Sequence, residues 1–215
     1  VRISPLILVI AALFIGEAGM AAAQGNVNNH PTSPNDWNAE VPKGWSTGGN
    51  APLDYGSLYG GVPDGKRAAV LRSHHRLAEN EFGTLMQTIS ADAYRGKRVR
   101  LSAMVSAEKS LSKGRIALWM RVNDATGRVT AFDDMQTGSI AAGTGWLRQE
   151  IVLDVPDQAA SITFGILLAG GEDGCCWGRL AASDFRLQAV GGDVATTADT
   201  LASMPQAPVN PDFSE

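Results

Sequence analysis

Trp119 and Arg121 stand two residues apart in the run Ala117–Val122, ALWMRV. On a strand that spacing places both side chains on one face. The indole offers a flat apolar plate with one N–H, and the guanidinium a planar fork of donors. Such a pair suits a sugar ring, which stacks on the plate and exchanges hydrogen bonds with polar neighbours. Gln87 and Asp133 (or Asp134) are the candidate neighbours, with Trp177 at the rim in a Gly-rich loop. The competing expectation is structural: Trp119 packs between sheets while Arg121 pairs with a carboxylate at the edge. Trp37, Trp45 and Trp146 are further plates. Trp146 follows Gly143-Thr144-Gly145 at a strand start and reads as a packing anchor.

Other reactive residues offer less. Cys175 and Cys176 are adjacent, where a redox pair would be spaced C-x-x-C. A vicinal bridge, two free thiols and intermolecular bridges all remain open. His74 and His75 would point to opposite faces of a strand, a poor start for a shared metal. Asp133-Asp134 and Glu172-Asp173 supply hard oxygens for a structural calcium, without the spacing of an EF-hand. Arg95, Lys97, Arg98 and Arg100 form a basic cluster that reads as a solvated face with cross-strand carboxylates, the alternative being contact with an acidic glycan, a lipid headgroup or DNA. No G-x-S-x-G, H-E-x-x-H or P-loop motif is present. A glycosidase pair of carboxylates is conceivable but no two can be assigned to one cleft.

The elements that must position these residues are strands. Val99, Leu101, Ala103 and Val105 alternate with Arg98, Arg100, Ser102 and Met104. The same period of two runs through 115–122, 150–155, 162–168 and 185–189. Shorter candidates lie at Arg67–Arg72, Leu85–Ser90 and Val129–Asp133, separated by turn signals such as Pro63-Asp64-Gly65 and Lys113-Gly114. No stretch carries three turns of amphipathic helix. The fold class expected is all-β, a two-sheet antiparallel β-sandwich or jelly roll, with a closed barrel as runner-up.

The ends differ from this middle. Residues 1–23 read as a secretory signal: Arg2, the apolar run Leu6–Ile15, then Ala21-Ala22-Ala23 before Gln24. Ten apolar residues are half of what a spanning helix needs, so no transmembrane anchor is expected after cleavage. Residues 24–40 read as a flexible lead-in, 41–190 as the sandwich, and 191–215 as a disordered tail. The expected location is the periplasm or the medium. The chain has 215 residues, a net charge of −4 and a pI near 5.4. Length allows roughly one domain, and the acidic balance argues against a nucleic-acid partner. The cysteine count excludes a multi-disulfide scaffold or a four-cysteine zinc site.

One block carries a resemblance: Gln87-Thr88-Ile89-Ser90-Ala91, then Tyr94-Arg95-Gly96-Lys97-Arg98-Val99-Arg100-Leu101-Ser102. It resembles the opening of galactose-binding-like jelly rolls, a group that includes many carbohydrate-binding modules. Gly145-Trp146, Val155-Pro156 and Trp177 are similar to the series that closes such modules. More narrowly, ALWMRV, AFDDM (Ala131–Met135) and FGILLAGG (Phe164–Gly171) resemble a poorly characterised bacterial family of jelly-roll domains. Its members occur alone, beside secreted peptidases, or in chains labelled as regulators. The resemblance covers 45–190. Arg179 departs from it, standing where relatives carry an acidic residue. Together with the leader, it implies an exported, non-catalytic binding domain, with carbohydrate as the expected ligand. The alternatives are a structural or protein-interaction domain of the cell envelope, and a small hydrolase or lyase on the same frame. No resident cofactor is expected beyond the structural calcium just considered.

Overall fold

The computed structural model of the chain describes residues 37–59, 61–135, 139–171 and 177–198. Eleven strands form two sheets. They are β1 (Trp37–Asn38), β2 (Ser46–Gly49), β3 (Asp54–Tyr59), β4 (Arg67–Ser73), β5 (Phe82–Ser90), β6 (Lys97–Ala107), β7 (Arg115–Asp124), β8 (Val129–Asp133), β9 (Leu147–Val155), β10 (Ala159–Ala169) and β11 (Gly178–Val190). One sheet has the order β1-β3-β4-β11-β6-β9 and the other β2-β5-β10-β7-β8, with every pair antiparallel. Among the described residues the only helical pieces are single 3-10 turns at Pro63–Gly65 and Lys109–Leu111. Two open sheets face each other, so the runner-up barrel is not formed.

The alternating residues place the core where the pattern puts it. Val99, Leu101, Ala103 and Val105 of β6 meet Ile116, Leu118, Met120 and Val122 of β7 and Ile162, Phe164, Ile166 and Leu168 of β10 between the sheets. Tyr55 crosses this space from one sheet to donate to Gly48 O on the other at 3.4 Å, and burial pushes its phenol up to about 12. The strands missed by the pattern are β1, β2 and β3. Their sequences WN, STGG and DYGSLY are too short or too Gly- and Ser-rich to show a period.

β7 and β10 are buried on both faces, not one. A second apolar cluster explains this. Phe82, Ala117, Trp119, Leu167 and Ala169 pack on the outer face of β5-β10-β7, joined by Met86, Phe132 and Met135. A third cluster, Leu58, Val62, Ala68, Val70 and Ala181 under Trp146, covers part of the other sheet's outer face.

The folded unit extends past the expected limits of 41 and 190. Trp37 and Asn38 pair with Leu58 and Ser57 on β3. After β11 the chain runs along the open edge of β9, where Thr197 N donates to Val152 O (2.9 Å) and Val152 N to the Thr197 hydroxyl (2.8 Å). Arg98 donates to the carbonyls of Gly192 and Val194 at 2.8 and 2.6 Å. An edge strand with free hydrogen-bonding groups invites association, and this segment covers it. The expected leader 1–23, most of the lead-in, residues 199–215, Glu172, Asp173, Cys175 and Cys176 lie outside the described residues.

Candidate functional site

The register separates the residues expected to share one face. Trp119 and Arg121 pair with Gly165 and Thr163 of β10, on the outer face. Gln87 pairs with Phe164, and Asp133 with Met120, both of which face the core between the sheets. Gln87 and Asp133 therefore stand on the opposite side of the sheet from Trp119 and Arg121. A side-chain period of two fixes this once the strand pairing is known.

Trp119 is 2% exposed. Its indole N–H reaches over β10 to the Thr84 hydroxyl on β5 at 2.8 Å, and that hydroxyl donates to Ile166 O at 2.8 Å. Gly165, directly across from Trp119, leaves β10 without a side chain at this crossing. A Cβ there would lie 2.1 Å from Leu85 O. Gly165→Ala is expected to destabilise the fold by about 1–3 kcal/mol, read as a lower urea midpoint. Arg121 is likewise interior, at 8% exposure. Desolvation lowers its pKa, although a guanidinium stays charged in proteins.

Asp133 and Asp134 are engaged. Asp133 accepts from Met135 N at 2.8 Å and from the Thr197 hydroxyl at 2.5 Å, so it pins the covering segment. Asp134 meets Arg115 at 2.7 Å as an ion pair without hydrogen-bond alignment, while Arg115 donates to the Asp134 carbonyl at 2.7 Å. Among the described residues no three His, Cys, Asp or Glu side chains converge as a metal site. The basic cluster is also structural: Arg98 grips Asp154 at 2.7 and 2.9 Å, Arg100 faces Glu150 at 3.4 Å, and Arg95 pairs with Asp92. His74 is bound to Asp54 at 2.6 Å. Trp177 is the most exposed large apolar side chain described, at 64%.

An open cleft lies elsewhere, at one end of the sandwich. It has a volume of about 370 Å³, within the range of small-molecule sites. Trp45 and Phe185 supply its aromatic floor, and Glu40, Lys43, Arg67 and Asp184 its charged groups. Trp45 is placed by a tight turn: Gly44 has φ +84°, Trp45 N donates to Pro42 O at 3.0 Å, and Gln87 Nε2 donates to Gly44 O at 3.3 Å. The indole packs against Phe185 with centroids 4.8 Å apart, and edge-on against Phe164 at 6.1 Å. Gln87 thus belongs to this cleft as a positioning residue.

Phe185 and Asp184 enter the cleft from a β-bulge in β11. Register with β6 shifts between Ser183 and Arg186, and Asp184 takes φ +54° there. Asp tolerates that conformation better than most residues, and a bulge re-aims its side chain. The Asp184 carboxylate gathers three cations: Lys66 at 2.7 Å, Arg148 at 3.1 Å and Arg186 at 3.0 Å. Lys66 foremost, then Arg148 and Arg186, holds its pKa well below the usual carboxylate range. Its stabilising effect is present above about pH 4, the unfolded value, and is lost as pH falls toward the folded one. Asp184→Asn is expected to lower the urea midpoint at neutral pH and to flatten its decline below about pH 4. Glu40, Lys43 and the bulge carried no sequence signal. The first two sit in or beside a stretch without periodicity, and nothing local marks Asp184 as a bulge residue.

Chemically the cleft can hold a polyhydroxylated ring. The aromatics offer an apolar floor, carboxylates accept from hydroxyls, and Lys43 and Arg67 donate. Of the charged lining side chains, Asp184 is already engaged by its three cations, which leaves Glu40 as the acceptor beside Lys43 and Arg67. Asp184, held ionised by its three cations, is not poised as a general acid.

A scan against protein-family models finds no match. An uncharacterized HTH-type transcriptional regulator of Bacillus subtilis, YbfP, is 38% identical over 130 residues, 60% of this chain and 43% of that protein. The chain thus matches less than half the length of that relative. Among solved structures, the xylan-binding CBM22-1 domain of Paenibacillus barcinonensis Xyn10C is similar with a TM-score of 0.51 at 11% identity, over 70% of this chain and 88% of that one. A Stig cyclase from Fischerella is similar with a TM-score of 0.53 at 13% identity, over 74% and 91%. At such identities the likeness concerns the fold. The described chain is a two-sheet antiparallel β-sandwich, the fold it shares with these structures.

Proposed function

We propose that this chain is a non-catalytic carbohydrate-binding domain that takes a neutral sugar in the Trp45–Phe185 cleft. The observation that carries the reading is the cleft itself, in which the aromatic rings of Trp45 and Phe185 stand beside charged side chains of both signs. The likeness to a xylan-binding domain supports the ligand class. The leader-like run Leu6–Ile15 supports action outside the cytoplasm, in the periplasm or the medium. The test is calorimetric titration of the chain with soluble neutral xylo-, cello-, manno- and galacto-oligosaccharides beside an acidic oligogalacturonide. Saturable binding to a neutral oligosaccharide, tighter than to the acidic one, is expected. Binding to none, or to the acidic one alone, would sink the proposal.

A further inference from the structure

A second recess, of about 250 Å³, opens on the outer face of the β1-β3-β4-β11-β6-β9 sheet. Its floor is Leu58 and Ala181, and its walls carry Trp146, Ser106, Glu108 and Arg179. Trp146 is fixed in place. Its indole N–H donates to Gly61 O at 2.9 Å and its ring packs on the cluster around Ala68 and Val70. Glu108 and Arg179 are tied to each other through both backbone and side chain. Glu108 N donates to Arg179 O at 3.0 Å, and Arg179 N to Glu108 Oε2 at 3.1 Å. The guanidinium Nε stands 3.4 Å from Glu108 Oε1, with both side chains nearly half exposed.

We infer that this recess is a second sugar site, taking one terminal neutral sugar residue through a pair of adjacent hydroxyls. The carboxylate has lone pairs left for one hydroxyl proton, and the guanidinium has N–H groups left to donate to the neighbouring oxygen. Their separation is fixed by the backbone bonds, so little ordering entropy is lost on binding. The indole and the apolar floor take the ring. A charged ligand would compete with the existing ion pair, whereas a diol uses both partners at once. Its ligand class follows from its own residues and does not depend on the Trp45 cleft. Trp177, two residues before Arg179, is the nearest exposed aromatic in the sequence. Arg179, the residue that departs from the family pattern, is the donor of this site.

The experiment is NMR titration of the whole chain with xylose, glucose and galactose at millimolar concentration, following tryptophan indole N–H and backbone amide signals. Saturating shifts of Trp146 and Arg179 are expected with at least one sugar. Glu108→Gln and Arg179→Gln, each removing one charge-assisted hydrogen bond at a half-exposed position, should weaken those shifts about tenfold. Thermal midpoints verify that each variant is folded. Trp45→Ala should leave the Trp146 response intact. No Trp146 shift with any sugar, or equal affinity in the wild type and both variants, would overturn the inference. A Trp146 response without a Trp45 response supports this site and counts only against the cleft.

Discussion

Trp45→Ala is expected to weaken binding of neutral oligosaccharides by about 30-fold or more, the loss of a binding hot spot. Trp45 forms half of the aromatic floor and is held by the Gly44 turn and the Gln87 amide. Removing the ring takes away the plate and leaves the rim charges without a surface beneath them. The same change loses two aromatic contacts, with Phe164 and Phe185. Each contributes about 0.5–1.5 kcal/mol, so stability should fall measurably without loss of the fold. Trp45→Phe keeps an aromatic surface and should recover much of both. Calorimetry read beside a urea titration separates the two effects. An unchanged affinity in a folded Trp45→Ala protein would remove the cleft from consideration.

Trp119→Ala is expected to act in the opposite way, costing about 3–5 kcal/mol of stability through a buried cavity. Trp119 is interior to the second apolar cluster and spends its N–H on Thr84. Trp119→Phe keeps most of the volume but leaves the buried Thr84 hydroxyl without its donor, at a cost of about 1–3 kcal/mol. Sugar affinity measured on the folded Trp119→Phe protein should match the wild type. A loss of binding with stability unchanged would instead place the ligand on the outer face of β7, where sequence spacing first put it.

The fold was legible because its central strands carry bulky residues in strict alternation. Val129–Asp133 became β8 with the same ends, and 115–122 became the body of β7. β11 starts seven residues before the alternation at 185–189, because Gly178–Ser183 holds a single bulky apolar residue, Leu180, followed by the small residues Ala181, Ala182 and Ser183 on both faces. The site was less legible for a geometric reason. Spacing tells which residues of one strand share a face, so Trp119 and Arg121 were grouped correctly. It does not tell which face another strand presents until the pairing is known, so Gln87 and Asp133 fell on the other side. Exposure is also a tertiary property. Trp119 is covered and Trp177 is open; the Gly-rich loop points to the second, but the apolar strand around the first leaves packing and stacking both open. The cleft joins segments distant in sequence, Glu40–Trp45 and the Asp184 bulge, through a turn and a register shift that composition does not encode.

The most direct test is a crystal structure of the full chain grown with the neutral oligosaccharide that binds best in calorimetry. The sugar is predicted to lie on Trp45 and Phe185, with hydroxyls directed to Glu40, Lys43 and Arg67. A sugar bound along Trp119 and Arg121, with the cleft empty, would contradict the account.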